Sequence, residues 1–255
     1  MNQEGKEQFV HHVFETIADK YDKMNTLLSA GLHKTWRKFA MDKLPVQPGE
    51  TAIDVCCGTG DWSISLAQKA GSTGRVVGLD FSENMLAIAQ RKAKERGINQ
   101  IEWVHGNAMQ LPFDENTFHY ATIGFGLRNV PDILHVLTEM KRVVKPGGMV
   151  VSLELSKPEW PVFKQVYSLY LNGVLPLLGK LVANRYDQYR WLPESLKNFP
   201  DSRKLADLFR EAGLEQVQFY LLAGGVAALH IGYKPNVAGE VVRPSSRQDC
   251  LFSTE

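Results

Sequence analysis

Apolar positions near the start of the chain recur at helical spacing. "EQFVHHVFETIADKYDKMN" sets Phe9, Val13, Phe14, Ile17, Ala18 and Tyr21 on one face, which predicts an amphipathic helix. "MNTLLSAGLH" reads as a loop, and "TWRKFAMDKL" as a second, short helix stopped by Pro45. After the turn "QPGE" the pattern changes to short apolar runs alternating with helical segments. "TAIDVCC" predicts a buried strand, "GDWSISLAQKAG" a helix, "GRVVGLD" a strand, and "SENMLAIAQRKAKERG" a helix capped by Ser82. The strand "IEWVHGNA", the strand "HYATIGFG", the helix "DILHVLTEMKRVV", the turn "KPGG" and the strand "MVVSLEL" follow. "DSRKLADLFREAG" then predicts a helix, and "EQVQFYLLAGG" and "VAALHIGYK" two strands joined by a short gap.

Strands alternating with helices imply right-handed parallel βαβ units. The expected architecture is therefore α/β: a doubly wound, seven-stranded, mostly parallel sheet with an antiparallel hairpin at one edge. Residues 1–46 form a helical lid and 47–235 the main domain. A helical insert occupies about 157–200, where the alternation breaks, and 236–255 is a polar tail without periodicity.

Composition narrows the function classes. Lys and Arg number 29 against 28 Asp and Glu, a net charge of +1, which gives no footprint for a nucleic-acid partner. The N-terminus lacks the pattern of a signal peptide. The most apolar run, "QVYSLYLNGVLPLLG", is broken by Asn172 and Pro176 and falls short of the roughly 20 residues of a spanning helix. There are three cysteines, and the adjacent Cys56 and Cys57 make a poor disulfide, which fits a reducing cytoplasm. Without a second CxxC or a matched His pair they are not a metal site, and they read as small packing residues.

The informative stretch is "AIDVCCGTGDW". Gly58 and Gly60 follow the first strand and open a helix, where missing side chains let backbone approach a ligand. Asp80 ends the second strand, 20 residues after Gly60, the spacing of a carboxylate that grips ribose hydroxyls. The pyrophosphate fingerprint fails at its third position, which is Ser63. Asp54 on the first strand would repel a phosphate and suit a cation, so S-adenosylmethionine fits this turn better than a nicotinamide dinucleotide.

"DVCCGTGDW", "LDFSENML", "GNAMQLPF", "TIGFGLRNV" and "MKRVVKPGG" resemble the class I S-adenosylmethionine-dependent methyltransferases. With "YDKMNTLLSAGLHKTWR" they resemble in particular the C-methyltransferases of menaquinone and ubiquinone biosynthesis, over roughly residues 8–234. The resemblance implies that Thr59 contacts the methionine end of the cofactor and that Asp80 holds its ribose. It implies that Asn107 and Ala108 edge the adenine, with Gly58, Gly60 and Asp54 completing the site. Asp61 is a secondary candidate, and Met85 packs either on adenine or in the core. Many methyltransferases carry Asp where Asn107 stands.

The resemblance further implies a polyprenyl quinol as acceptor, demethylmenaquinol in the first instance. An aromatic carbon becomes nucleophilic when the neighbouring hydroxyl is deprotonated, so the site needs a cation for the phenolate and a base for a proton. Arg128, just past the fourth strand, is the candidate cation and Asn129 its hydrogen-bonding neighbour. His33 or Asp22 on the lid is the candidate base. Each of these four also has a purely structural reading.

The insert, with Tyr167, Tyr170, Leu171, Val174, Leu175, Leu177, Leu178 and Leu181, reads as a wall for a prenyl tail and a peripheral contact with the inner face of the membrane. A homodimer surface or plain core is the other reading of the same stretch. Gly124 stands where many dual-role relatives carry Ser, which favours menaquinone alone over dual activity. The remaining alternatives are another small-molecule methyltransferase of class I and a nucleotide-binding module without turnover.

Overall fold

A computed structural model describes residues 3–158 and 191–236 of the chain. Seven strands form one sheet: β1 (Thr51–Val55), β2 (Arg75–Asp80), β3 (Ile101–His105), β4 (Phe118–Gly124), β5 (Val144–Leu155), β6 (Glu215–Leu222) and β7 (Ala227–Tyr233). Their order is β3-β2-β1-β4-β5-β7-β6. The β2–β1, β1–β4, β2–β3 and β4–β5 pairs are parallel, and β7 alone runs antiparallel, between β5 and β6. The expected seven strands and edge hairpin are all present.

The strands alternate their apolar side chains between two cores, as a sheet covered on both faces requires. Ala52, Val76, Val151 and Leu229 point into a core shared with Trp36 and Ala40 of α3 (Leu32–Lys43) and with Leu66 and Ala67 of α4 (Asp61–Ala70). Ile53, Val77, Ile123 and Val150 point into the other. There they meet Leu137 and Met140 of α6 (Ile133–Val143) and Leu205 and Phe209 of α8 (Ser202–Glu211). α5 (Glu83–Glu95) links β2 to β3, and its Ser82 hydroxyl accepts from Met85 N, the cap read in the sequence.

The turn "KPGG" is not a break between elements. β5 begins at Val144, opposite Phe118, and pairing resumes with Tyr120 opposite Met149, so residues 145–148 bulge out of a continuous strand. A Cβ at Gly148 would sit 2.5 Å from Val144 Cγ1 and 2.6 Å from His119 O, which leaves room only for glycine.

The lid departs from its expected outline. α1 (Gln3–Ile17) passes through a 3₁₀ turn at Ala18–Lys20 into α2 (Tyr21–Leu28), so most of the segment read as a loop is helix. The turn to α3 shrinks to residues 29–31, where Gly31 adopts a φ of 80°. The break at Ala18–Lys20 turns the chain so that Val13, Ile17 and Ala18 pack on Met85 and Ile88 of α5, while Phe14 and Tyr21 meet edge to face. Of the expected insert, α7 (Trp191–Asn198) and its neighbours are described; residues 159–190, and with them the apolar wall and membrane contact, lie outside the described residues. So does the tail from 237 onward.

Candidate active site

The sheet order reverses direction between β1 and β4, and ligands of open α/β sheets bind beyond the strand ends at such a point. β1 stops at Val55, and Cys56 takes a left-handed conformation, φ 54°, that swings the chain out of the sheet. Gly58 and Gly60 continue the turn with φ of 53° and 79°, and α4 begins at Asp61. At Gly60 a Cβ would lie 2.6 Å from the Trp103 ring and 2.8 Å from Ala89 Cβ, so glycine lets the turn press against β3 and α5. At Gly58 it would meet nothing closer than Tyr21 Cε1 at 4.0 Å, because that side of the turn faces an open cleft.

Asp80 holds the turn in place. Its Oδ2 accepts from Gly58 N at 2.8 Å and its Oδ1 from Ser82 N at 2.9 Å. Burial pushes its pKa up to about 6, against the lowering effect of those backbone donors. The cleft encloses about 670 Å³, its open mouth included. Cys56, Gly58, Asp80 and Phe81 form its floor, with Met85 of α5 beside them. Gly106, Asn107 and Ala108 form one bank; Gly124, Phe125, Gly126, Asn129, Val130 and Pro131 form the other. The lid roofs it with Glu7, Val10, Phe14 and Tyr21.

Two carboxylates, Glu7 and Asp80, line this cleft, and among the described residues lining it there is no Lys, Arg or His. Such a wall suits a ligand with a cationic centre and a diol, and disfavours a phosphate chain. An adenosyl sulfonium with an amino-acid tail meets that description. Asp80 would take its ribose, and Asn107 and Ala108 its adenine edge.

The residue chosen in the sequence for that negative charge does not supply it. Asp54 has no exposed surface and does not line the cleft. Its carboxyl accepts from Ser63 Oγ at 2.7 Å and Thr122 Oγ1 at 3.0 Å, and burial raises its pKa to about 7. This packing also explains the broken fingerprint: Ser63 stands at the third glycine position to bind Asp54. Met85 packs in the lid core, as one of its two readings expected, and it also lines the cleft.

Thr59 points away from the cleft into a polar cluster. Its hydroxyl donates to Asp22 Oδ1 of α2 at 2.6 Å. Lys92 of α5 donates to Asp22 Oδ2 at 2.6 Å and to Thr59 Oγ1 at 3.1 Å, and lies 2.9 Å from Asp61 Oδ1. Asp61 also meets Arg37 of α3 at 3.1 Å. Asp22, the candidate base, is thus engaged as an anchor of the lid. His33 bonds Ser29 Oγ through Nδ1 at 2.7 Å and lines neither cavity described here; burial first, then Arg37 and Lys34, lower its pKa.

Asn129 lines the cleft, and its Oδ1 accepts from Trp191 Nε1 at 2.8 Å. Arg128 lines a second cavity of about 710 Å³, its open mouth included, with Lys6, Ile133, Trp191, Glu194, Ser195, Asn198 and Phe199. Its Nη1 donates to Glu154 Oε1 and to Phe125 O, both at 2.5 Å, while its buried Nε has no partner among the described residues. Cys56 lines the cleft, half-buried, and Cys57 is buried; both thiols are free, and burial together with the charge of Asp80 pushes their pKa values up.

Sequence reasoning passes over Glu7, Lys92 and Glu154, and it places Tyr21, which stands beside Asp22 in "KYDKMN", only on a packing face. Glu7, Lys92 and Glu154 carry no motif, since their meaning depends on which elements the fold brings together.

The fold and this site define a class I S-adenosylmethionine-dependent methyltransferase. Residues 2–234 match the ubiE/COQ5 methyltransferase family, and the chain belongs to that family. It is 56% identical over 230 residues to the demethylmenaquinone methyltransferase of Oceanobacillus iheyensis, an alignment covering 90% of this chain and 97% of that one. To the demethylmenaquinone methyltransferase of Bacillus cytotoxicus it is 55% identical over 233 residues, covering 91% and 98%. Among solved structures it resembles a SAM-dependent methyltransferase from Aquifex aeolicus, with a TM-score of 0.58 and 19% identity over 78% of this chain and 89% of that one. It also resembles a phosphoethanolamine N-methyltransferase of Haemonchus contortus solved with S-adenosylhomocysteine, with a TM-score of 0.56 and 14% identity over 76% and 50%. At these identities the two structures speak for the fold alone.

Proposed function

We propose that the chain methylates a ring carbon of demethylmenaquinol, giving menaquinol. The observation that carries this reading is the 56% identity to a demethylmenaquinone methyltransferase across 97% of that relative's length. S-adenosylmethionine supplies an activated methyl group on a cationic sulfur. The chain's own residues must then hold that cation, line up the ring carbon and exclude water.

The two cavities divide these tasks. Carboxylates Asp80 and Glu7 stand on the cofactor side, and Arg128 and Lys6 stand on the other. Consecutive residues of one segment, Arg128 and Asn129, face one cavity each. The acceptor ring sits on the Arg128 side, where Trp191, Ile133 and Phe199 offer apolar surface. Loss of the quinol proton makes the ring carbon nucleophilic, and Arg128 stabilises the phenolate. The methyl would pass from the donor's sulfur to that carbon, and the ring proton would go to water in the acceptor cavity, which restores aromaticity and regenerates the phenolate. Lid closure by Phe14 and Tyr21 keeps water from the sulfonium.

The prenyl tail of such an acceptor belongs in a bilayer. No helix among the described residues is long and apolar enough to cross a membrane. Incubation with labelled S-adenosylmethionine and a panel of reduced acceptors tests the reading. Label on the ring carbon of demethylmenaquinol alone supports it. Equal labelling of a ubiquinone precursor favours the dual reading, and labelling confined to a phenolic oxygen overturns both.

A further inference from the structure

We infer that Glu7 of the lid is a positioning residue of the cofactor cleft, and that its carboxylate is the reason position 107 carries an amide. The inference rests on the cofactor reading above. Glu7 lines the cleft from α1, and its Oε1 accepts from Asn107 Nδ2 at 2.8 Å. The other end of the same amide is committed as well, because Asn107 Oδ1 accepts from Met109 N at 2.9 Å. The donor end of Asn107 therefore faces the lid and the acceptor end faces its own loop.

An aspartate in place of Asn107 would keep the bond from Met109 N. Its second oxygen would then face the Glu7 carboxylate at hydrogen-bonding distance with no proton between them. Two carboxylates so placed cannot both stay ionised without separating. Only a residue that donates toward the lid fits beneath Glu7, and the amide is the isosteric answer to a carboxylate overhead.

The neighbouring residue shows what the contact does. Lys6 Nζ donates to Val130 O at 2.6 Å. Val130 and Asn107 lie on opposite banks of the cleft, in the turns after β4 and β3. Consecutive residues of α1 thus tie down both banks. Further along the helix, Glu15 accepts from Ser82 Oγ at 2.6 Å in the turn after β2. The lid is strapped over the cleft at three strand ends, and the Glu7 strap lies at the adenine edge.

Three variants test this: Asn107→Asp, Glu7→Gln and the two combined. Hydrogen exchange of residues 3–17 without cofactor, and calorimetric affinity for S-adenosylhomocysteine, are the readouts. Asn107→Asp alone should speed exchange in α1 and weaken affinity about tenfold, the effect of like charges brought together. Glu7→Gln, which still accepts from Asn107, should change exchange in α1 by less than about threefold, and whatever affinity its missing charge costs is the baseline against which the double variant is read. In the double variant the amide introduced on the lid can donate to the carboxylate introduced below it, so most of the loss should return. An Asn107→Asp effect of equal size in both backgrounds overturns the inference. A native protein that binds no S-adenosylhomocysteine overturns the cofactor reading, while the exchange data still decide the Glu7–Asn107 pairing.

Discussion

Arg128 Nη1 lies 2.5 Å from Glu154 Oε1, with 9% and 1% of the two side chains exposed. Glu154, next to last in β5, also accepts through Oε2 from the backbone N of Arg128 and through Oε1 from that of Leu155. A buried guanidinium left without its carboxylate is costly, so Glu154→Ala should destabilise the fold by about 3–5 kcal/mol, read by chemical denaturation. Glu154→Gln keeps an acceptor and should fold. It should lower methyl transfer while leaving cofactor affinity near native, because Asp80 and the glycine turn are untouched. Equal loss of affinity and turnover would contradict the assignment of Arg128 to the acceptor side.

Lys92 gathers Asp22, Thr59 and Asp61 around one ammonium. Lys92→Met removes the cation that joins α2 to the glycine turn and leaves Asp22 without its ion-pair partner, while Asp61 keeps Arg37. We expect a loss of about 2 kcal/mol, discounted for the partial exposure of Asp22, and faster proteolysis within residues 18–43. Proteolysis at the native rate would mean that the apolar contacts of Val13 and Ile17 hold the lid alone.

Asp54 gives a stability slope with a definite sign. Its pKa of about 7 stands well above the usual carboxylate value, so the folded state keeps a proton that the unfolded chain has released. Its contribution is present at low pH and fades as pH rises from about 4 to about 7. Asp54→Asn should remove that slope, so the variant should gain on the native protein as pH rises through this window. Parallel curves in denaturation at a series of pH values would show that Asp54 is ionised throughout.

Asp80 behaves differently because its charged form is the useful one. The carboxylate accepts from Gly58 N and Ser82 N, and in the proposed complex from the ribose diol. Cofactor affinity should therefore fall as pH drops through about 6, the pKa of Asp80 in the folded protein. Asp80→Asn should weaken binding by about ten- to a hundredfold, measured by calorimetry. Affinity flat across this pH range would contradict the role given to Asp80.

Most of the fold can be read from the chain because its signals are local. Strand periodicity, the Ser82 cap and the glycines after β1 depend on neighbours in sequence. The lid outline fails at Ala18–Lys20, where a 3₁₀ turn breaks the expected single helix, and at Thr26–Leu28, where α2 runs on through residues read as a loop. The part of the cleft that Gly58, Asp80, Asn107 and Ala108 line is legible for the same reason as the strands: each stands at or just past a strand end. Asp54 is misjudged because an acid in a strand shows its charge but not its partners, and only the packed structure sets Ser63 and Thr122 around it. Glu7, Lys92 and Glu154 act across 100, 70 and 26 residues of sequence, and no local pattern reports such a pairing.

The central claim is that a deprotonated quinol, and not the quinone, accepts the methyl group. Transfer of label from S-adenosylmethionine to demethylmenaquinone, measured with and without prior reduction by dithionite, tests it most directly. The account predicts labelled menaquinone only from the reduced acceptor, with transfer lost in Arg128→Ala although cofactor binding persists. Equal transfer to the oxidised quinone, or none to either form by a protein that binds the cofactor, would contradict it.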